Sequence, residues 1–111
     1  MKFDQHTLVL LVRPPDAPEL SEQEVAAQVR SILERGLVVG IEHTEQPDPY
    51  DHYWTLWKLP LFGVRDPEIV LDALEACRAA NPNAYVRVNG YDSLRQGQVV
   101  AFVAARPERD A

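Results

Sequence analysis

Apolar residues recur at the spacing of an α-helix between Ser21 and Gly36, which predicts an amphipathic helix. Ser21 followed by Glu24 has the pattern of a capping box, in which each side chain accepts the other residue's backbone amide at the helix start. Gly36 is typical of the residue just past a helix end. The predicted buried face consists of Val25, Val29, Ile32 and Leu33.

A second helix is predicted to begin at Asp66-Pro67, with aspartate as the N-cap and proline as the first helical residue. It is predicted to end at Asn81-Pro82. Its apolar face is predicted to consist of Ile69, Val70, Ala73, Leu74 and Cys77.

Four stretches rich in β-branched and aromatic residues predict strands, at residues 37–43, about 53–59, 84–91 and 98–105. The order is therefore helix, strand, strand, helix, strand, strand. It predicts an α+β, two-layer sandwich with both helices on one face of the sheet. If residues 6–12 form a further strand, the order becomes ferredoxin-like, which is typical of small-molecule-binding or regulatory modules.

The second predicted strand lies in an unusually aromatic stretch, "YWTLWKLPLFG", at residues 53–63. Successive side chains of a strand point to opposite faces, and here both faces are largely apolar. One helix layer covers one sheet face only, so the second face favours a partner. The alternative is that Trp54 and Trp57 are core residues, one on each side of the sheet.

Composition and charge exclude several classes of function. The 111 residues carry a formal net charge of −6, which argues against nucleic-acid and anionic-membrane partners. The apolar run at 8–12 is too short to span a bilayer. A single cysteine permits no internal disulfide, which fits a reducing cytoplasm. We expect one domain over residues 1–111, with a fraying tail at 106–111.

No pattern in the chain predicts an independent active site. Cys77 falls on an apolar helix face without an activating neighbour, which disfavours a nucleophile. A stand-alone enzyme using Glu42, His43 and Glu45 is the least favoured alternative. The best metal candidate lacks a recognised ligand spacing, so a solvated acidic loop is favoured there. That candidate consists of His43, Glu45, Asp48, Asp51 and His52.

Three motifs in register resemble the small subunit of ribulose-1,5-bisphosphate carboxylase/oxygenase (Rubisco). "YWTLWKLPLFG" is similar to the family signature Y-W-T-M-W-K-L-P-M-F-G, and the helix from Asp66 to Asn83 follows it as in the family. The match covers about residues 20–107. The third motif, similar to the family's G-F-D-x-x-R-Q, consists of Gly90, Tyr91, Asp92, Arg95 and Gln96.

The resemblance implies a four-stranded antiparallel sheet with two helices on one face. It implies that eight such chains cap an octamer of large subunits, contact one another around a central channel, and tune carboxylation rate and CO2/O2 specificity in the Calvin cycle. The chain itself would have no catalytic residue and bind no cofactor or metal, since magnesium and the carbamylated lysine belong to the large subunits.

Two sets of residues receive roles from this resemblance. The partner interface is expected to include Tyr53, Trp54, Trp57, Leu59, Pro60 and Phe62. The central-channel loop is expected to consist of Gln46, Pro47, Asp48, Pro49, Tyr50, Asp51 and His52.

Three features depart from the family pattern or mark a lineage within it. Residues 1–19 diverge, because "LVLLVRPPDAPEL" stands where relatives usually have Y-L-P-P-L. The loop after the first strand is shorter than in plant relatives, and the extended C-terminus of red-lineage relatives is not seen. Without a transit peptide as well, the pattern favours a bacterial cytoplasm or carboxysome.

Overall fold

The computed structural model describes residues 19–45, 54–92 and 97–107. Within these ranges the predicted order of helices and strands is confirmed, and the class is α+β. The elements are α1 (Glu22–Glu34), β1 (Val38–Thr44), β2 (Thr55–Leu56), α2 (Pro67–Ala80), β3 (Tyr85–Asp92) and β4 (Gly97–Ala105).

The four strands form one antiparallel sheet in the order β2-β1-β3-β4. Glu42 in β1 lies directly opposite Leu56 in β2 and Arg87 in β3. Side chains alternate between the two faces of a strand, so these three residues share one face. Both helices pack against the other face, as predicted.

The starts of both helices are capped as the sequence predicts. The Glu24 amide donates to Ser21 Oγ at 3.1 Å, and the Ser21 amide donates to Glu24 Oε1 at 2.8 Å. Asp66 Oδ1 accepts the Glu68 amide at 3.0 Å ahead of the proline in the first turn of α2. These bonds satisfy amides that a helix start otherwise leaves unpaired.

The hydrophobic core lies between the helices and the sheet, and it includes most of the predicted helix faces. One predicted member is wrong, because Ile69 is 49% exposed. The buried side of α2 follows Val70, Leu74 and Cys77, and Ile69 lies one residue before that row, rotated toward solvent. The fully buried side chains include Val29, Ile32, Val39, Val70, Val86, Val88, Val100 and Phe102.

The strand predicted over about residues 53–59 is shorter in the described part of the chain, because β2 contains only Thr55–Leu56. After β2, Lys58 has a φ of +59°, and this left-handed conformation prevents the strand from continuing to residue 59. Within the described ranges, no helix is long and apolar enough to cross a membrane. The alternative strand at 6–12 lies outside the described residues.

Candidate partner interface

Residues 58–63, which we call the exit turn, connect β2 to α2 and present two large apolar side chains to solvent. Leu59 is 78% exposed and Phe62 is 71% exposed. The turn is held to β1 at two points, because Trp57, just before it, donates its amide to the Ile41 carbonyl at 2.7 Å, and Leu61, within it, donates its amide to the Val39 carbonyl. Such exposure of apolar side chains on a fixed backbone is typical of a contact surface.

Trp57 points into the protein rather than away from it. Its ring is partly buried and packs against the hydrophobic core. His43 meets it edge to face, with ring centroids 6.2 Å apart, and Lys58 Nζ lies 5.3 Å from the ring centroid. Trp57 therefore fills space beneath the exit turn. These contacts are those of a core residue, which is the alternative that the sequence offered for this tryptophan.

Trp54 contacts the face of the sheet opposite the helices. The Arg87 Cζ atom lies 4.2 Å from the centroid of the Trp54 ring, which is cation–π geometry. Arg87 is fixed in turn by Glu42, whose Oε1 accepts from Nε at 3.0 Å and from Nη2 at 2.5 Å. The side chains of Arg87 and Glu42 are only 21% and 13% exposed, so this ion pair is mostly shielded from water.

No sequence motif links Glu42 and Arg87 to Trp54. The two residues are 45 positions apart along the chain, and only the register of β1 against β3 brings them together. The only signal in the sequence is that each of the two predicted strands contains a charged residue. Without the register of the strands, this signal does not indicate that Glu42 and Arg87 form a pair.

Tyr91 and Asn89 continue this face along β3. The Asn89 side-chain amide donates to the Tyr91 hydroxyl at 3.3 Å, and Asn89 is fully buried. Burial raises the pKa of Tyr91, and the negative charge of Glu42 raises it further. Gly40 is needed beside Tyr91, because a Cβ on this glycine would come within 3.2 Å of the tyrosine ring.

The metal candidate and the Cys77 nucleophile gain no support among the described residues. They contain no group of three or more metal-ligating side chains; Asp48, Asp51 and His52 lie outside them. Burial raises the pKa of the Cys77 thiol, so the protonated, unreactive form is favoured.

The remaining predicted interface residues are placed as follows. Pro60 is half-buried in the exit turn. Tyr53 and the predicted central-channel loop, residues 46–52, lie outside the described residues. Within the described residues, the predicted interface therefore comprises Trp54, Trp57 and the exit turn.

Comparison with known proteins identifies the family. The family model described as ribulose bisphosphate carboxylase, small chain, matches residues 16–107. A small subunit from Synechocystis sp. is 42% identical over 93 residues, covering 84% of this chain and 82% of the relative. Small subunit 2 of Hydrogenovibrio crunogenus is 46% identical over 90 residues, covering 81% and 79%.

A solved structure gives the same assignment. A chain of Rubisco from Galdieria partita superimposes with a TM-score of 0.77 and 36% sequence identity, over 84% of this chain and 69% of that one. The ferredoxin-like binding or regulatory module is accordingly not favoured. The chain belongs to the family of Rubisco small chains and is a non-catalytic subunit of that carboxylase.

Proposed function

We propose that this chain caps an octamer of Rubisco large subunits, with eight small chains per assembly, and that the exit turn is a main point of contact. The exposure of Leu59 and Phe62 carries the proposal. Burying a phenylalanine removes roughly 150–250 Å² from water. At about 25 cal/mol per Å², this one side chain can contribute several kcal/mol to association before ordering costs.

The backbone of the exit turn supports the same role. Lys58 and Gly63 both hold positive φ angles, at 59° and 71°, and the backbone is bonded to β1 at Trp57 and Leu61. A preformed turn loses little conformational freedom when a partner covers it. The apolar side chains are thus presented at low entropic cost.

Several further parts of the proposal follow from the family. Residues 1–111 would form one small-subunit domain, and residues 46–52 would contact neighbouring small chains around the central channel. The active site, with magnesium and a carbamylated lysine, would lie in the large subunits. The small chain would stabilise the assembly and tune carboxylation rate and CO2/O2 specificity. We place this assembly in the bacterial cytoplasm or in a carboxysome.

Native mass spectrometry tests the proposal directly. The chain would be mixed with the large-subunit octamer from the same source, and with the Phe62→Ser chain as a matched competitor. Uptake of eight wild-type copies, together with a rise in carboxylation, is the expected result. A large-subunit octamer that takes up no wild-type chain would overturn the capping role. Equal uptake of both chains would remove Phe62 from the interface.

A further inference from the structure

We infer that Arg87 and Glu42 are positioning residues that hold the Trp54 ring for contact with the large subunit. This inference rests on the proposed function. It extends the contact surface from the exit turn onto the face of the sheet opposite the helices. It also assigns a role to two charged residues that no motif singles out.

The geometry of the pair fixes the plane of the guanidinium. Glu42 and Arg87 are directly opposite each other in β1 and β3, so the backbone sets their separation. Two nitrogens of Arg87 donate to the same oxygen, Glu42 Oε1. A guanidinium held by two hydrogen bonds has little freedom to rotate, and its flat face is then available for stacking.

Trp54 occupies that available face. It lies immediately before the two-residue strand β2, where little regular structure constrains the side chain. Arg87 Cζ lies 4.2 Å from its ring centroid, whereas Trp54 itself remains partly exposed. Part of the indole is thus held by the arginine, and part is left for a partner.

A gain in folding stability does not by itself explain why Arg87 pairs with Glu42 and contacts the Trp54 ring. Ion pairs that are largely removed from water gain little net stability, because desolvation offsets their attraction. Ordering a large aromatic side chain before association, by contrast, lowers the cost of binding. Tryptophan and arginine are also the residues most enriched at the energetic centres of interfaces.

The occupant we infer is the large subunit, because Trp54 and Leu56 lie at the edge of the sheet, just before the proposed interface along the chain. Leu56 lies opposite Glu42, is 39% exposed and belongs to β2, the edge strand of the sheet, which leads directly into the exit turn. One partner that covers Leu59 and Phe62 can extend over these residues. A mixed apolar and hydrogen-bonding surface of the large subunit fits this face.

A double-mutant cycle tests the inference. The affinity for the large-subunit octamer would be measured for the wild type, Arg87→Met, Trp54→Leu and the double variant. We expect Arg87→Met to weaken binding about tenfold with Trp54 present and less than about twofold in the Trp54→Leu chain, since pairs in contact are not additive. Arg87→Lys, which keeps the charge without the flat guanidinium, should lose about threefold.

Two controls separate positioning from folding. Arg30→Met removes the same charge from an exposed position on α1 and should leave binding unchanged. Arg87→Met leaves the shielded Glu42 carboxylate without its partner, so this free chain should unfold at a lower urea concentration than the wild type. Binding is therefore compared only under conditions where urea unfolding shows each chain to be folded, and Glu42→Gln provides a milder variant if Arg87→Met fails to fold. An equal loss of affinity in both Trp54 backgrounds would overturn the inference.

Failure of the proposed exit-turn interface and failure of the positioning role give different results. If Phe62→Ser weakens assembly while the cycle shows no coupling, the positioning role is wrong and the exit-turn interface stands. If Phe62→Ser has no effect while Arg87 and Trp54 are coupled in binding, the contact lies on the sheet face and not at the exit turn.

Discussion

The backbone amide of Leu61 donates to the carbonyl of Val39 at 2.8 Å, which returns the chain to β1 within the exit turn. The preceding attachment is the bond from Trp57 to Ile41. Trp57 and Leu61 are four residues apart, whereas their partners in β1, Ile41 and Val39, are only two residues apart. The surplus residues bulge outward, and Leu59 is exposed because it lies in this bulge.

The first prediction concerns the conformation of Lys58. Its φ of +59° costs roughly 1 kcal/mol for most residues and more for β-branched ones, whereas asparagine tolerates it. Lys58→Ile should therefore lower the free energy of unfolding by about 1–2 kcal/mol relative to Lys58→Asn. Urea denaturation of both variants gives the difference. Equal stability would mean that this backbone conformation relaxes without cost.

The second prediction concerns the two exposed apolar side chains of the exit turn. Leu59→Ser and Phe62→Ser should change the free energy of unfolding by less than about 0.5 kcal/mol, because both side chains are exposed. Each should nevertheless weaken assembly by about 2 kcal/mol, as the loss of an interface anchor does. Titration of the large-subunit octamer with each variant measures this loss.

Ile69→Ser is the matched control for these two variants. Ile69 is also apolar and 49% exposed, but it lies on α2 outside the exit turn. Its substitution should leave assembly unchanged. If Ile69→Ser weakens assembly as much as Phe62→Ser, surface hydrophobicity in general, rather than the exit turn, determines binding.

Local signals in the sequence predicted most of the fold. Caps and apolar periodicity located both helices, because Ser21, Asp66 and Gly36 act through bonds within a few residues. The family signature located the stretch that we propose as the partner interface. The left-handed Lys58 was missed, because lysine carries no preference for that conformation.

The Glu42–Arg87–Trp54 arrangement also escaped prediction, for a different reason. Its geometry depends on which residues of β1 and β3 are paired, and a shift of one residue would place them on opposite faces. Nothing local to Glu42 or Arg87 encodes that register. Contacts of this kind emerge only when the whole sheet is assembled.

The third prediction concerns the close approach of α1 to the sheet at Gly90. A Cβ on this residue would lie 3.1 Å from Leu37, 3.2 Å from Ile32 and 3.3 Å from Val100. Three buried or half-buried neighbours cannot all move aside, so Gly90→Ala should destabilise the fold by about 1–3 kcal/mol. Urea denaturation measures the loss.

Gly36→Asn is the control for Gly90→Ala. Gly36 has a φ of +74°, which asparagine tolerates, and a Cβ there would meet nothing within 4 Å. The free energy of unfolding of the Gly36→Asn chain should remain within about 1 kcal/mol of the wild type. An equally stable Gly90→Ala chain would show that the helix can lift from the sheet at this point.

The last prediction concerns the alkaline stability of the chain. Burial raises the pKa of Cys77 above its ordinary value of 9.0, so the folded state keeps the thiol proton at a pH where the unfolded state loses it. The stabilisation is complete below about pH 9 and declines as the pH rises toward the folded pKa. Urea unfolding between pH 7 and 10.5 should show this decline.

Cys77→Ala isolates the contribution of the thiol. It should cost about 1 kcal/mol at neutral pH, because a fully buried sulfur is lost, and it should flatten the stability profile just above pH 9. Burial also raises the pKa of Tyr91, from an ordinary value of 10.0, so part of the decline should persist at higher pH. Tyr91→Phe should remove that remainder and leave the earlier step in place. An unchanged slope just above pH 9 in Cys77→Ala would mean that the thiol does not titrate differently on folding.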